Sequence, residues 1–223
     1  MKTYKEDIVE NIIQCSACQE CKLTNKLGCV PLWQYGDNFG QRDLHILFVG
    51  KTARGENPPH CYELADILYK ESWPFWKYTR LICEKLNLKW EDIAVTNLIK
   101  CNTSDGIDKT TFQMKQNCIM KRKFIQKEIS ILNPSHIVFY THDYYDTEIK
   151  QIFDNIQNIS STDAQNRIAC GKKKMPFWKF KGQIQGQSFC VLRLGHPQGK
   201  KQEDFVGIVV DFIKSTSKIK SPR

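Results

Sequence analysis

Leu44-His45-Ile46-Leu47-Phe48-Val49-Gly50-Lys51-Thr52-Ala53-Arg54-Gly55 reads as a buried strand that breaks into a polar, glycine-bounded loop. The apolar half is short and rich in β-branched and aromatic residues, as in a strand covered on both faces of a parallel sheet. Loops at the carboxyl ends of such strands are where α/β proteins place their ligands. Gly50-Lys51-Thr52 on its own would suit the end of a phosphate-binding P-loop. That motif needs a glycine five residues before the Gly-Lys pair, and His45 stands there instead. No nucleotide cofactor is expected.

Outward from this stretch, the pattern alternates between strands and helices. Toward the N-terminus lie a helical pattern over 5–14, a cysteine-rich run, and an irregular Gly28–Gln41 connection. Toward the C-terminus, helical spacing predicts helices over 60–70 and 75–87, the latter with Leu81, Ile82 and Leu86 inward. Ile93–Leu98 reads as a second strand, 110–132 as one long helix closed by Pro134, and Ser135–Tyr140 as a third strand. A helix over 146–156, a polar loop over Ser160–Lys174, a last strand Ser188–Leu194 and a closing helix Phe205–Ile213 complete the chain. This order predicts an α/β fold, a three-layer α/β/α sandwich around a mainly parallel four-stranded sheet. A single domain over 1–213 with an N-terminal cysteine-rich arm is expected, with a disordered basic tail over 214–223.

At 223 residues the chain is long enough for one substantial core. It has no apolar run of membrane-spanning length and no signal-peptide pattern at its start, so a cytoplasmic protein with no membrane partner is expected. The net charge of +9 favours polyanionic partners, although a solvated basic surface would give the same number.

Ten cysteines are many for a reducing compartment, where clustered thiols bind metal more often than they form disulfides. Cys15, Cys18 and Cys21 form two overlapping Cys-x-x-Cys pairs, Cys101 follows a strand, and Cys118 lies on the long helix. Two adjacent thiolates and two distant ones can make one Cys₄ site if the arm folds back. Spacing leaves open zinc, an iron–sulfur cluster, or packing roles for Cys101 and Cys118.

These residues, in this order, resemble the uracil-DNA glycosylase superfamily, in its iron–sulfur branch called family four. Cys18-x-x-Cys21-Lys22-Leu23 is similar to that family's opening motif, and Leu44–Gly50 to the strand leading into its first active-site loop. Pro74-Phe75, Thr96-Asn97-Leu98-Ile99-Lys100-Cys101, the later Cys118, and Gly195-His196-Pro197 match further motifs in sequence order. The resemblance implies a [4Fe–4S] cluster (zinc being the alternative) on Cys18, Cys21, Cys101 and Cys118. It also implies a monomer that acts on DNA, either as duplex with a flipped base or as a single strand. Phe75 would stack on the flipped base and Asn97 would read its edge, with Gly50 and Thr52 lining the pocket. His196 would donate a hydrogen bond to the departing base, and Lys200 and Lys201 would contact phosphates.

The loop after Gly50 departs from the family. Lys51 stands where the family keeps a glutamate, and the connection from Gly50 to Pro74 is long and carries Glu56. Three readings follow. The chain could be a glycosylase for another base, with Glu56 supplying the carboxylate; Lys51 could attack the sugar as an amine; or an inactive iron–sulfur DNA-binding module could remain. The first is favoured because Phe75, Asn97 and His196 are all kept. The long polar loop would suit a modified cytosine such as glucosylated hydroxymethylcytosine in phage DNA, with plain uracil excision as the rival.

Overall fold

The computed structural model describes residues 25–27, 33–36, 39–52, 72–103, 110–159 and 167–217. Strands β1 (Asn25–Leu27) and β2 (Trp33–Tyr35) precede β3 (Ile46–Thr52). Helix α1 (Pro74–Leu86) leads to β4 (Ile93–Ile99), and β5 (Cys101–Thr103) follows almost at once. Next come α2 (Phe112–Lys115), a π-helical turn (Gln116–Lys121), α3 (Phe124–Leu132) and β6 (His136–Tyr140). A 3₁₀ turn (Asp143–Tyr145) enters α4 (Asp146–Lys150), then β7 (Asn155–Asn158). β8 (Arg167–Cys170), β9 (Lys173–Ile184), β10 (Gln187–Leu194) and α5 (Gln202–Ser217) end the described chain.

The sheet runs β2-β4-β3-β6-β10-β9-β7, with β8 paired to β9 off that path. β4, β3, β6 and β10 pair parallel to one another, whereas β2, β9, β7 and β8 join antiparallel. The fold is α/β, but the sheet is mixed and larger than the four-stranded, mainly parallel one expected. β1 and β5 form a separate antiparallel pair.

Period-two alternation sends strand residues to opposite faces. Ile46, Phe48, Ile93, Val95, Val138, Tyr140, Leu192 and Leu194 pack with α1 and α5 on one face. Leu47, Val49, Ala94, Ile137, Phe139 and Val191 pack with the α2–α3 segment and α4 on the other. Both faces are therefore covered, which is why these strands read as continuous apolar runs. A fully buried ring such as Phe48 contributes on the order of 3–5 kcal/mol against truncation to Ala. α1 starts at Pro74, where a missing N–H costs nothing, and stops at Asn87, whose left-handed backbone (φ 53°) turns the chain out.

Several elements differ from expectation for local reasons. The predicted 110–132 helix is broken: a π turn draws Asn117, Cys118 and Ile119 inward, and Lys123 takes a left-handed conformation (φ 52°) before α3. The predicted 146–156 helix stops at Lys150, because Ile152 and Phe153 turn into the core and the chain joins the sheet as β7. The Ser160–Lys174 loop holds β8 and the start of β9 within its second half. α5 reaches Ser217, past the expected end at Ile213, and Thr216 is buried against His136 (2.9 Å). The 5–14 and 60–70 helices and residues 218–223 lie outside the described residues. No helix among the described residues is long and apolar enough to cross a membrane.

Candidate functional site

The strand order places a switch point at the centre of the sheet. From β3 the chain moves outward to β4, then crosses back over β3 to β6. The crevice at the carboxyl ends of such strands is the default ligand site of an open α/β sheet. Gly50 and Asn97 are register partners there, on β3 and β4. A β-carbon at Gly50 would overlap the Asn97 carboxamide oxygen and would stand 3.3 Å from the Phe75 ring. Glycine is thus the residue that lets a buried amide and a half-buried ring close on one point. Phe75 sits at the start of α1 and is held edge-on by Trp76 (centroids 4.9 Å) and Tyr140 (5.2 Å). Gly50, Phe75 and Asn97, all predicted pocket residues, are brought together.

Across the switch point, the loop after β6 supplies groups the sequence reading passed over. Lys51 Nζ donates to the Tyr144 hydroxyl at 3.0 Å and lies 5.7 Å from its ring centroid. Tyr144 stacks on His142 (5.1 Å, 25°), and His142 Nδ1 contacts the Asp143 carboxylate. His142 has φ 71° and ψ 166°, a region almost reserved for glycine and costing on the order of 1–3 kcal/mol. The surrounding structure imposes it. Thr141 and His142 N–H groups both donate to Leu194 O (3.1 and 2.9 Å). Buried Arg193 on β10 grips Asp146 with two bonds of 2.6 and 2.5 Å. Burial pushes the Asp146 carboxyl upward, and Arg193 opposes that shift.

His196 follows β10 at the same end of the sheet. A β-carbon on its neighbour Gly195 would stand 3.4 Å from the His142 ring. The Gln198 N–H donates to His196 Nδ1 at 3.2 Å. A backbone amide cannot accept, so Nδ1 carries the lone pair and the ring proton sits on Nε2. Strands lie about 4.8 Å apart, so the row of strand ends from β4 to β10 spans roughly 14 Å. Thr52 is tied to Thr110 by a 2.8 Å hydroxyl pair. Lys200 is half-buried, with its carbonyl accepting from Tyr78 Oη (2.8 Å), and Lys201 is exposed beside Asp204 (3.3 Å). Glu56 lies outside the described residues.

On the opposite side of β4, Lys100 and Glu128 are almost wholly buried. Lys100 Nζ lies 2.7 Å from the Glu128 carboxylate and 2.7 Å from Thr96 Oγ1. Burial lowers the lysine's pKa and raises the glutamate's, and their mutual attraction opposes both shifts. Cys118 is buried in the π turn, close enough to feel both charges. β1 pairs with β5 so that Leu27 faces Cys101. The backbone at 25–27, a few residues after Cys21, therefore runs alongside Cys101. Cys18, Cys21 and the Cys101 side chain lie outside the described residues, and among those described no cluster of His, Cys, Asp or Glu is set to hold a metal ion.

Sequence reasoning missed His142, Asp143, Tyr144 and the Arg193–Asp146 pair. The available signal was a polar, aromatic run, Thr141–Tyr145, at the end of a buried strand. Compared with protein-family models and with curated proteins, the chain matches none.

Proposed function

We propose that the chain is a DNA glycosylase that flips a pyrimidine out of DNA and hydrolyses its N-glycosidic bond. The observation that carries this reading is the closure of Asn97 and Phe75 over the bare α-carbon of Gly50. A buried amide can donate to and accept from a pyrimidine edge, and an adjacent ring can cover its face. As the C1′–N1 bond breaks, its electrons leave on the base. His196 Nε2–H is the protonated nitrogen and would donate toward the developing charge on the base. Water adds to C1′ and its proton passes to N1 of the departing base, leaving an abasic site and the neutral free base. With glutamate replaced by Lys51, the half-buried carboxylate of Asp143, in contact with His142, is suited to orient that water.

Hydrolysis is favoured over attack by Lys51. Its ammonium donates to a phenol and lies within cation–π range of that ring, an arrangement that suits the charged, non-nucleophilic amine. The family resemblance, the arm beside Cys101 and the inward-turned Cys118 support a [4Fe–4S] cluster on Cys18, Cys21, Cys101 and Cys118. When bound, it supplies a rigid cross-link between the arm and the loops beyond β4. Brown protein with bound iron and sulfide would distinguish it from zinc.

Lys51 and the long loop after it favour a modified cytosine such as glucosylated hydroxymethylcytosine. The test is incubation with duplexes bearing uracil, hydroxymethylcytosine or its glucosylated form, followed by assay for free base and abasic sites. Release of the glucosylated base is expected. Release of uracil alone would move the reading to repair, and release of nothing would overturn the glycosylase itself.

A further inference from the structure

The lysines of the predicted 160–174 loop belong to a built element. β8 and β9 form a hairpin, with Arg167 opposite Pro176 and Cys170 opposite Lys173. Three contacts dock it against the segment that follows β10. A β-carbon at Gly195 would stand 3.2 Å from buried Met175, which pairs with Ile168 on the hairpin's inner face. At the tip, Cys170 Sγ donates to Lys201 O (3.5 Å), and Gly171 N–H donates to Asp204 Oδ2 (2.6 Å). Gly171 has φ 63°, and a side chain there would press on Lys201, so the tight turn sits directly on the Lys200–Lys201 segment. At the other end, Arg167 Nη2 lies 3.9 Å from Asp143 Oδ2, at the site loop.

We infer that this hairpin is a clamp for the DNA phosphate backbone, an interpretation that rests on the glycosylase reading above. Arg167, Lys172, Lys173 and Lys174 are exposed along it, and Lys200 and Lys201 continue the row past His196. These six cations exceed the neighbouring carboxylates Asp143, Glu203 and Asp204, of which Asp204 pairs with Lys201 and Asp143 lies near Arg167. A four-residue strand is about 13 Å long, close to the rise of four nucleotides of one strand at about 3.4 Å each. Charges fixed on a docked hairpin meet successive phosphates with less ordering cost than charges on a free loop. The clamp holds the strand while the site takes the flipped base.

The test compares the full chain with its Lys172→Ala/Lys173→Ala/Lys174→Ala variant, leaving Gly171 and the inner face intact. Binding to a labelled duplex is measured by anisotropy over about 50–200 mM salt. The variant is expected to bind at least tenfold more weakly, with the slope of log K against log[salt] reduced by about 2–3. A second triple, Lys85→Ala/Lys127→Ala/Lys214→Ala, removes the same charge elsewhere and should change affinity less than threefold. Equal loss in both triples, or none in the hairpin triple, overturns the clamp. Base release by the unmutated chain is read in parallel. Hairpin-dependent binding without base release would sink the glycosylase and leave the clamp, and base release with hairpin-independent binding would do the reverse.

Discussion

Lys51 Nζ donates to the Tyr144 hydroxyl across 3.0 Å, joining the end of β3 to the loop after β6 at the point where the strand order reverses. Lys51 is thus held by a phenol that stacks on His142. If Lys51 acts through its charge and this contact, Lys51→Ala should lower base release by about 10–100-fold, the equivalent of a charged hydrogen bond worth roughly 1.5–3 kcal/mol. Tyr144→Phe should lower it in the same direction, and the double variant should fall short of the product of the two. Borohydride should trap no protein–DNA adduct. An adduct that Lys51→Ala abolishes would establish the amine as nucleophile instead.

Gly50→Ala separates the slot from the fold. The new methyl would overlap the Asn97 carboxamide and crowd Phe75, while β3 keeps its backbone pairing to β4 and β6. Displacing a positioned amide by an ångström can cost about 100-fold in rate. The expected outcome is a loss of that order in kcat/KM with a melting temperature within a few degrees of the original. Full activity would remove Asn97 from the site.

The parallel centre was legible because β3, β4, β6 and β10 are apolar on both faces, a pattern that no surface element shares. Gly50, Phe75 and Asn97 were singled out through the resemblance, and the fold brings them together where β3 and β4 approach the start of α1. β9 was missed although Pro176, Trp178, Phe180, Gly182 and Ile184 alternate with exposed or half-exposed residues over its length. The lysine run before it suggested a loop, and the period-two signal was outweighed. Tyr144 was not legible, since its role comes from Lys51, 93 positions away, through a strand crossover that local spacing does not encode. The break in the 110–132 helix was hidden for a related reason. Its helical periodicity is sound, and the break comes where Asn117, Cys118 and Ile119 are drawn inward, Cys118 beside Lys100 and Glu128.

The Lys100–Glu128 pair predicts an asymmetry between single and double changes. Removing one partner leaves an uncompensated buried charge, so Glu128→Ala should destabilise the fold by about 3–5 kcal/mol. Replacing both by apolar residues of similar size, Lys100→Met/Glu128→Leu, should recover most of that loss. Thr96 would lose its acceptor on Glu128 (2.8 Å), which caps the recovery. Denaturant titrations measure both. Additive losses would mean that the two charges do not compensate each other.

His136 sets a pH dependence whose sign follows from its surroundings. It is buried at the start of β6, with Nδ1 at 3.0 Å from Ser135 Oγ and Nε2 at 2.9 Å from Thr216 Oγ1. Burial, with a smaller push from His45, lowers its pKa from 6.5 to about 4. Between those values the unfolded chain binds the proton and the folded chain does not, so stability rises with pH across that window. The contribution is fully present above pH 6.5 and is lost as the pH falls to about 4. A shift of this size corresponds to roughly 3 kcal/mol, or about 6–12 °C in Tm for a chain of this length. His136→Gln lowers stability at neutral pH by removing packing and two hydrogen bonds, but it removes this titration too. The Tm gap between the two proteins should therefore narrow as the pH is taken from above 6.5 toward 4. A gap that stays constant would show that His136 is protonated equally in the folded and unfolded chains.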